Sequence, residues 1–501
     1  MINFFKTRST LIVVIGLITI SILPLYIAFS YPHIYLGDDS LITLTFVKNI
    51  VKGNGWVYNH PPAVLATTTP LFTIIIAGLS YLFPFFKITQ ISVIFSASCL
   101  LGTVWVFFFA RRVLAINNYL ALLIGFLTVI SMNSILFGME LYLFTFLLLL
   151  SIICYYKNYN FLSGVLIGLL FLTRGEGILI LIVFISTKII SWIMLNFKKK
   201  SSHIDIKNIT KLSIGFFIPF IIWSVYSLYI FGNIFPNTLS AKLAQNYSGI
   251  WKSFTIRLFS DWMPNWSNKL NLFDLRGLSL WYPLIFIGLY AVFKKNKKWL
   301  VFLWWLIIYV GGYSLLGVAG YVWYGFHVYF VLMLFYGFGI FSVSKLIYKI
   351  KHSFYLYILL FIFLLFSIYP VIKANWNNMI SIPITKESKT YYSMSKWIKN
   401  NIEPSKTIAY FEIGYLGFYT NNKIFDLVGL TNPEVLKYIV NRNFSQGFWN
   451  ANPDYLIYAK GSYFQPYVKY SKKFKLNYYP IKTFKNNKSQ YIIYKRMISD
   501  N

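Results

Sequence analysis

The feature that most constrains this chain is a series of apolar runs long enough to cross a lipid bilayer. A membrane-spanning helix needs about 20 predominantly apolar residues. We count about eleven such runs, near residues 10–30, 90–110, 113–133, 140–156, 161–173, 177–196, 212–232, 279–293, 299–318, 322–342 and 353–371. A further run at 69–86 is short and carries Pro70 and Pro84, so we interpret it as a re-entrant or interfacial segment. The sequence therefore predicts a polytopic α-helical membrane protein.

The composition supports this interpretation and excludes other classes. Of the 501 residues, 57% are hydrophobic and 12% are charged, whereas soluble domains average about 25% charged residues. The net charge of +32 could indicate nucleic-acid binding. However, the basic residues of the first 372 positions lie largely in short clusters between apolar runs, as in loops that face an anionic membrane leaflet. We therefore predict membrane lipids as partners and no nucleic acid.

The basic clusters also predict an orientation. With a cytoplasmic N-terminus, each of the five predicted inner turns carries Lys or Arg, as cytoplasmic loops do. These turns are at residues 111–112, 157, 198–211, 294–298 and 345–351. The first apolar run resembles a signal peptide but is longer than the usual 7–15-residue core, so we interpret it as an uncleaved first helix. The predicted location is the inner (cytoplasmic) membrane, with an extracytoplasmic C-terminus.

A change of composition divides the chain into two predicted domains. Residues 1–372 form the transmembrane domain, with a first outer loop at 31–89, and residues 373–501 form an extracytoplasmic domain that holds half of the 14 acidic residues. A helix is predicted at 391–400. Short strand-like runs lie at 407–411, 423–427, 455–458 and 491–494. Helices between strands indicate a small α/β domain.

The first outer loop holds the most conspicuous acidic pair. Asp38 and Asp39 follow the first apolar run and precede a helix predicted from Ser40 to Val51. Because neighbouring like charges raise the pKa of one member, one carboxylate could act as a general base and the other could hold geometry or a cation. The alternative is a helix cap, with Asp39 or Ser40 as the N-cap residue.

Other polar residues lie at predicted outer helix ends, where ionisable groups indicate function. Each also has a structural explanation. Glu140 could cap a helix, Arg174 and Glu176 could form a local ion pair, Lys242 could snorkel, and His327 could be a hydrogen-bonded core residue. Of the seven acids before residue 373, all except Asp205 fall on the predicted outer side.

Several segments, in order along the chain, resemble one enzyme superfamily. The first-loop strings GDDSLITLTFVKNIVKGNGWVYN (37–59) and TTTPLFT (67–73) resemble the first outer loop of GT-C glycosyltransferases that use polyprenyl-phosphate sugars. The likeness is closest to the bacterial group that includes the mycobacterial terminal arabinofuranosyltransferases. Further similar segments are FGMELYLF (137–144), LTRGEGILI (172–180), PNTLSAK (236–242), VWYGFHVYF (322–330) and IGYLGFYTNNKIFDLVGLTNPEV (413–435).

The resemblance implies a GT-C-like fold and an inverting sugar transfer on the outer membrane face. The donor would be a polyprenyl-phosphate sugar, hexosyl or pentosyl, and the acceptor a glycan, lipid or protein of the cell envelope. It implies that Asp38 and Asp39 are the catalytic residues. It also implies a substrate-binding pocket made of Glu140, Arg174, Glu176, Lys242, Tyr324 and His327, with Arg174 and Lys242 on the phosphate. No cofactor is certain, and a divalent cation stays open.

The alternative function is a lipid or sugar transporter, or flippase, without transferase activity. Such proteins place polar groups near the middle of the membrane and often contain paired repeats. This sequence has its acids at the predicted outer rim and shows no internal repeat. The pattern therefore favours the transferase.

Overall fold

The structure is a computed structural model that describes most of the chain. The described residues are 2–30, 35–59, 63–131, 136–197, 205–262, 281–349, 386–462, 471–486 and 489–497. Within them, a helical bundle precedes a smaller sheet-containing domain. The fold is that of a polytopic α-helical membrane protein, as predicted.

Fourteen helices make up the described part of the first 349 residues. They are α1 Ile2–Ser30, α2 Asp38–Val51, α3 Pro70–Leu82, α4 Ile88–Phe109, α5 Asn118–Ile130, α6 Leu141–Tyr156, α7 Asn160–Thr173, α8 Ile178–Phe197, α9 Ile206–Phe231, α10 Asn237–Tyr247, α11 Phe254–Arg257, α12 Trp281–Lys295, α13 Leu300–Leu316 and α14 Val322–Lys349. Ten of them coincide with predicted apolar runs. The eleventh run, 353–371, lies outside the described residues.

In the part of the chain that the structure describes, six helical segments are long and apolar enough to cross a membrane. They are Thr10–Ser30, Ile88–Phe109, Gly175–Phe197, Ile206–Phe231, Lys297–Leu316 and Val322–Leu346. Shorter apolar helices complete the bundle, among them α3 over the run 69–86. At 1.5 Å per residue, the 13 residues of α3 span about 20 Å, less than the roughly 30 Å of a bilayer core.

One helix begins later than the apolar pattern predicts. The run at 113–133 corresponds to α5, which starts only at Asn118. The side chain of Asn117 accepts a hydrogen bond from the Leu120 amide (2.8 Å) and so caps the helix. Ala115, with φ of 55°, turns the chain just before it. Local capping therefore overrides the apolar pattern at this end.

The predicted loop helix is present as α2, but its predicted cap is wrong. Leu41, Leu44 and Val47 are buried along one face, as expected. The N-cap residue is Gly37, and no side chain caps the helix. Asp38 and Asp39 both lie in the first turn, so their carboxylates are available for other contacts.

The C-terminal domain contains a five-stranded mixed sheet. Its strands are β1 Thr407–Tyr410, β2 Lys423–Asp426, β3 Tyr455–Ala459, β4 Tyr478–Lys485 and β5 Gln490–Arg496, and its helices are α15 Lys386–Asn401, α16 Gly414–Tyr419, α17 Leu436–Val440, α18 Phe444–Ala451 and α19 Lys472–Asn477. The strand order is β2-β1-β3-β5-β4. β1 pairs in parallel with β2 and β3, and β5 pairs antiparallel with β3 and β4. Four strands were predicted, and β4 was missed.

The C-terminal domain packs directly on the first outer loop. Lys48 of α2 donates hydrogen bonds to the carbonyls of Gly417 and Phe418, each at 2.8 Å. The Tyr58 hydroxyl donates to the Ile413 carbonyl (2.7 Å). These bonds join residues more than 350 positions apart, so the C-terminal end of α2 and the segment after it are fixed to this domain.

Candidate active site

Asp38 is held by the backbone of the C-terminal domain. Its carboxylate accepts hydrogen bonds from the amides of Gly414 (2.9 Å) and Tyr415 (3.0 Å), at the start of α16. The Tyr415 hydroxyl donates to the Leu36 carbonyl (2.7 Å) just before α2. Both oxygens of Asp38 therefore have partners in the second domain, and the side chain orients the loop against it.

Asp39 faces the membrane domain. Burial and the negative charge of Asp38 raise the pKa of Asp39 to about 7, whereas the positive charge of Lys242 on α10 opposes this rise. Glu140, at the start of α6, is close enough to raise the pKa further. A carboxylate with a pKa near 7 can accept and release a proton at physiological pH.

A third carboxyl group, Glu412, was not singled out from the sequence. It lies in the loop after β1, and its side chain forms a hydrogen bond with the side chain of Asp38. Burial and the charges of Asp38 and Asp39 raise the pKa of Glu412 well above its usual range. Glu412 is therefore the protonated member of the pair, and it donates a hydrogen bond to the Asp38 carboxylate.

Below the loop, Arg174 joins two carboxylates. Its Nη1 lies 2.6 Å from Glu140 Oε1, and its Nε lies 2.5 Å from Glu176 Oε1. The three side chains are at most 5% exposed. The predicted local pair of Arg174 and Glu176 is present, and Glu140, 34 residues away, completes it. Glu140 is the N-cap residue of α6, but its side chain makes no cap bond.

Two helices complete the partners of Glu176. The Tyr313 hydroxyl of α13 donates to Glu176 Oε2 (2.9 Å). Nε2 of His327, on α14, lies 3.3 Å from Glu176 Oε1 without hydrogen-bond geometry. The Glu140–Arg174–Glu176 cluster thus connects the start of α6, the turn between α7 and α8, and α13. Tyr313 carries no sequence signal that distinguishes it from the 39 other tyrosines.

The ammonium group of Lys242 lies near three aromatic rings. Its Nζ is 5.7 Å from the ring centroid of Tyr321, 5.6 Å from that of Trp323 and 5.1 Å from that of Tyr324. Within the described part of the chain, no carboxylate lies within 4 Å of this ammonium group. Arg174 stacks over the same Tyr324 ring at 5.5 Å. The predicted pocket residues therefore lie in one region, and Lys242 has no salt-bridge partner in the part of the chain that the structure describes.

The described residues do not form a built metal site. No group of three His, Cys, Asp or Glu side chains in the described ranges is placed to hold a metal ion. Asp38 accepts hydrogen bonds from two backbone amides, and Glu140 and Glu176 both pair with Arg174.

Comparisons with known proteins agree with this architecture. The model of a domain of unknown function, DUF8728, matches residues 378–494. None of the curated proteins matches the chain. Among solved structures, ArnT from Cupriavidus metallidurans bound to undecaprenyl phosphate is similar with a TM-score of 0.57 and 11% identity, over 96% of this chain and 97% of that chain.

Two further solved structures are similar over nearly the whole chain. The apo state of the same ArnT has a TM-score of 0.56 at 11% identity, with 96% of this chain and 97% of that chain covered. The oligosaccharyltransferase of Archaeoglobus fulgidus, in complex with Zn and sulfate, has a TM-score of 0.56 at 11% identity, over 93% of this chain and 71% of that chain.

The chain therefore shares the fold of these solved transferase structures. The fold that the resemblance implied is confirmed. The closer likeness to the arabinofuranosyltransferase group stays a prediction, as do the roles of the individual site residues.

Proposed function

We propose that the chain is a glycosyltransferase that moves a sugar from a polyprenyl-phosphate donor to a hydroxyl group of a cell-envelope glycan, lipid or protein. The observation that carries this proposal is the proximity of Asp39, whose pKa is raised to about 7, to Lys242, which has no salt-bridge partner among the described residues. Together they supply a base and a phosphate partner at one site. The GT-C fold and the undecaprenyl phosphate bound to the similar ArnT support the choice of donor.

Asp39 is the proposed base, because the two aspartates differ in their partners. Asp38 accepts hydrogen bonds from Gly414 and Tyr415 and meets Glu412. Those contacts suit a side chain that holds the two domains together. Asp39 instead faces Lys242 and Glu140, and a base needs a free carboxylate oxygen within reach of the acceptor hydroxyl.

Lys242 is the proposed partner of the lipid phosphate. Departure of the phosphate leaves negative charge on its oxygens, and a fixed cation stabilises that charge. Arg174 is a less direct contact, since Glu140 and Glu176 already share its charge. Its proposed role is to position the side chains of Tyr324 and His327 that line the pocket. The guanidinium group of Arg174 lies over the Tyr324 ring, which supports this role.

The proposed reaction is a single displacement. The acceptor oxygen bonds to the anomeric carbon and loses its proton to Asp39. The bond from that carbon to the phosphate oxygen breaks, and the lipid phosphate leaves with the electron pair. Attack from the face opposite the leaving group inverts the anomeric centre. We also propose that the active site lies on the outer face of the inner membrane. The N-terminus is then cytoplasmic, and the domain boundary is at residue 372.

An in vitro transfer assay tests the proposal. The purified full-length protein would be given polyprenyl-phosphate hexoses and pentoses with a membrane extract as acceptor source. Asp39→Asn should lower transfer by about 10²–10⁴-fold. Asp261→Asn is the matched control, because Asp261 lies at the exposed surface, where it pairs with Lys252 and Arg257. Full activity of Asp39→Asn would contradict the assignment.

A further inference from the structure

A cavity lies at the end of the helical bundle opposite the candidate active site. Its volume is about 500 Å³, and residues of α6, α8 and α13 line it. Those three helices also reach the candidate active site, since α6 follows Glu140, α8 follows Glu176 and α13 carries Tyr313. The 16 residues of α6 span about 24 Å, so the two sites lie at opposite ends of the same helices.

The cavity carries more positive than negative charge. Three lysines, Lys188, Lys297 and Lys298, line it, and Asp205 is its single acidic lining residue. Lys188 pairs with Asp205 at 2.6 Å, and Lys298 donates to the Val113 carbonyl at 2.8 Å. Lys297 is exposed and makes no ion pair within the described part of the chain. An anion in the cavity would therefore meet an ammonium group that has no ion-pair partner among the described residues.

Aromatic side chains surround these lysines. Tyr155 stacks on Phe184 with centroids 3.8 Å apart, and Lys188 lies 5.7 Å above the Tyr155 ring. Trp304, which also lines the cavity, is 50% exposed. Trp and Tyr beside Lys are typical of the membrane–water interface. Basic cavities between helices at that depth bind anionic lipid head groups.

We infer that this cavity binds the phosphate head group of an anionic glycerophospholipid of the surrounding leaflet. The charge selects the phosphate, and the apolar flanks of α8 and α13 offer a surface to the acyl chains. Under the proposed orientation this leaflet is the cytoplasmic one. The inference does not depend on the transferase activity.

Native mass spectrometry of the full-length protein in a neutral detergent tests this site. The probes are phosphatidylglycerol, phosphatidylcholine with the same acyl chains, and inorganic phosphate. We expect phosphatidylglycerol to bind at least roughly tenfold more tightly than phosphatidylcholine, since each nearby lysine contributes about fivefold. Inorganic phosphate should bind more weakly than phosphatidylglycerol.

Two variants are expected to change the affinity for phosphatidylglycerol in opposite directions. Lys297→Gln should weaken phosphatidylglycerol binding about fivefold. Asp205→Asn should strengthen it, because it frees Lys188, and it should keep the fold because Asn is as good an N-cap of α9 as Asp. Lys294→Gln is the control, since Lys294 lies in the same turn, is exposed and does not line the cavity.

Three results would overturn the inference. One is equal binding of phosphatidylglycerol and phosphatidylcholine. Another is equal loss in Lys294→Gln and Lys297→Gln. The third is inorganic phosphate binding as tightly as phosphatidylglycerol, which would assign the cavity to a free anion.

Discussion

Two acidic clusters lie close together in this protein and differ in one respect, the presence of a paired cation. In the inner cluster, Arg174 bonds to both Glu140 and Glu176. In the outer cluster, Asp38, Asp39 and Glu412 lie close together, and Asp38 accepts hydrogen bonds from two backbone amides and from Glu412. The inner carboxylates thus have a cationic partner, whereas burial and the neighbouring carboxyl groups raise the pKa of Asp39 and Glu412 in the outer cluster.

The difference explains how one pocket supports both rigidity and proton transfer. A buried ion pair holds its members in place, because removing either leaves an unpaired charge. A cluster of carboxyl groups without a paired cation raises its own pKa values, which brings a proton acceptor into the physiological range. The predictions below test this division, from the largest expected effect to the smallest.

Arg174→Ala should have the largest effect on stability. It leaves Glu140 and Glu176 buried and unpaired, which we expect to lower the free energy of unfolding by about 3–5 kcal/mol. Thermal unfolding in detergent would measure the loss. The control is Lys252→Ala, which removes an exposed ion pair with Asp261 and should cost at most about 1 kcal/mol. Similar losses in both variants would show that the inner cluster does not hold the bundle.

Gly414→Ala should loosen the outer cluster. A Cβ atom at Gly414 would lie 2.0 Å from the Asp38 carbonyl oxygen, so α2 and the C-terminal domain must separate. We expect a loss of about 1–3 kcal/mol and lower transfer activity, with faster proteolysis of the C-terminal domain as the readout. Gly78→Ala, where a Cβ meets nothing within 4 Å, should leave both unchanged. Unchanged proteolysis of Gly414→Ala would refute the contact.

Glu412→Gln should have the smallest effect. A protonated Glu412 is neutral and donates to Asp38, and a Gln amide does the same. The stability at pH 7 should therefore change by less than about 1 kcal/mol. Glu176→Gln should destabilise more, because Arg174 and Tyr313 bond to different oxygens of Glu176 and Gln has one acceptor oxygen. Equal losses in the two variants would mean that Glu412 is ionised and that the clusters do not differ.

Local pattern was enough to predict much of this molecule. Apolar runs predicted ten helices, and the scarcity of acids drew attention to Asp38 and Asp39. β4 was missed because Tyr478–Lys485 is largely exposed on an edge strand and has no apolar run. Glu412 was missed because its partner lies 374 positions earlier, and no local feature distinguishes it from the other acids of its domain. Contacts across the fold, such as Glu140 with Arg174, follow from packing rather than spacing.

The pH dependence of transfer tests the central claim, that Asp39 is the proton acceptor, most directly. Because a base acts when deprotonated and the pKa of Asp39 is raised to about 7, the rate should rise with pH through about 7 and then level off. In Asp38→Asn the loss of the neighbouring charge lowers the pKa of Asp39, so the same rise should occur at lower pH. A rate that is flat from about pH 5.5 to 8.5, or a midpoint that Asp38→Asn leaves in place, would contradict the account.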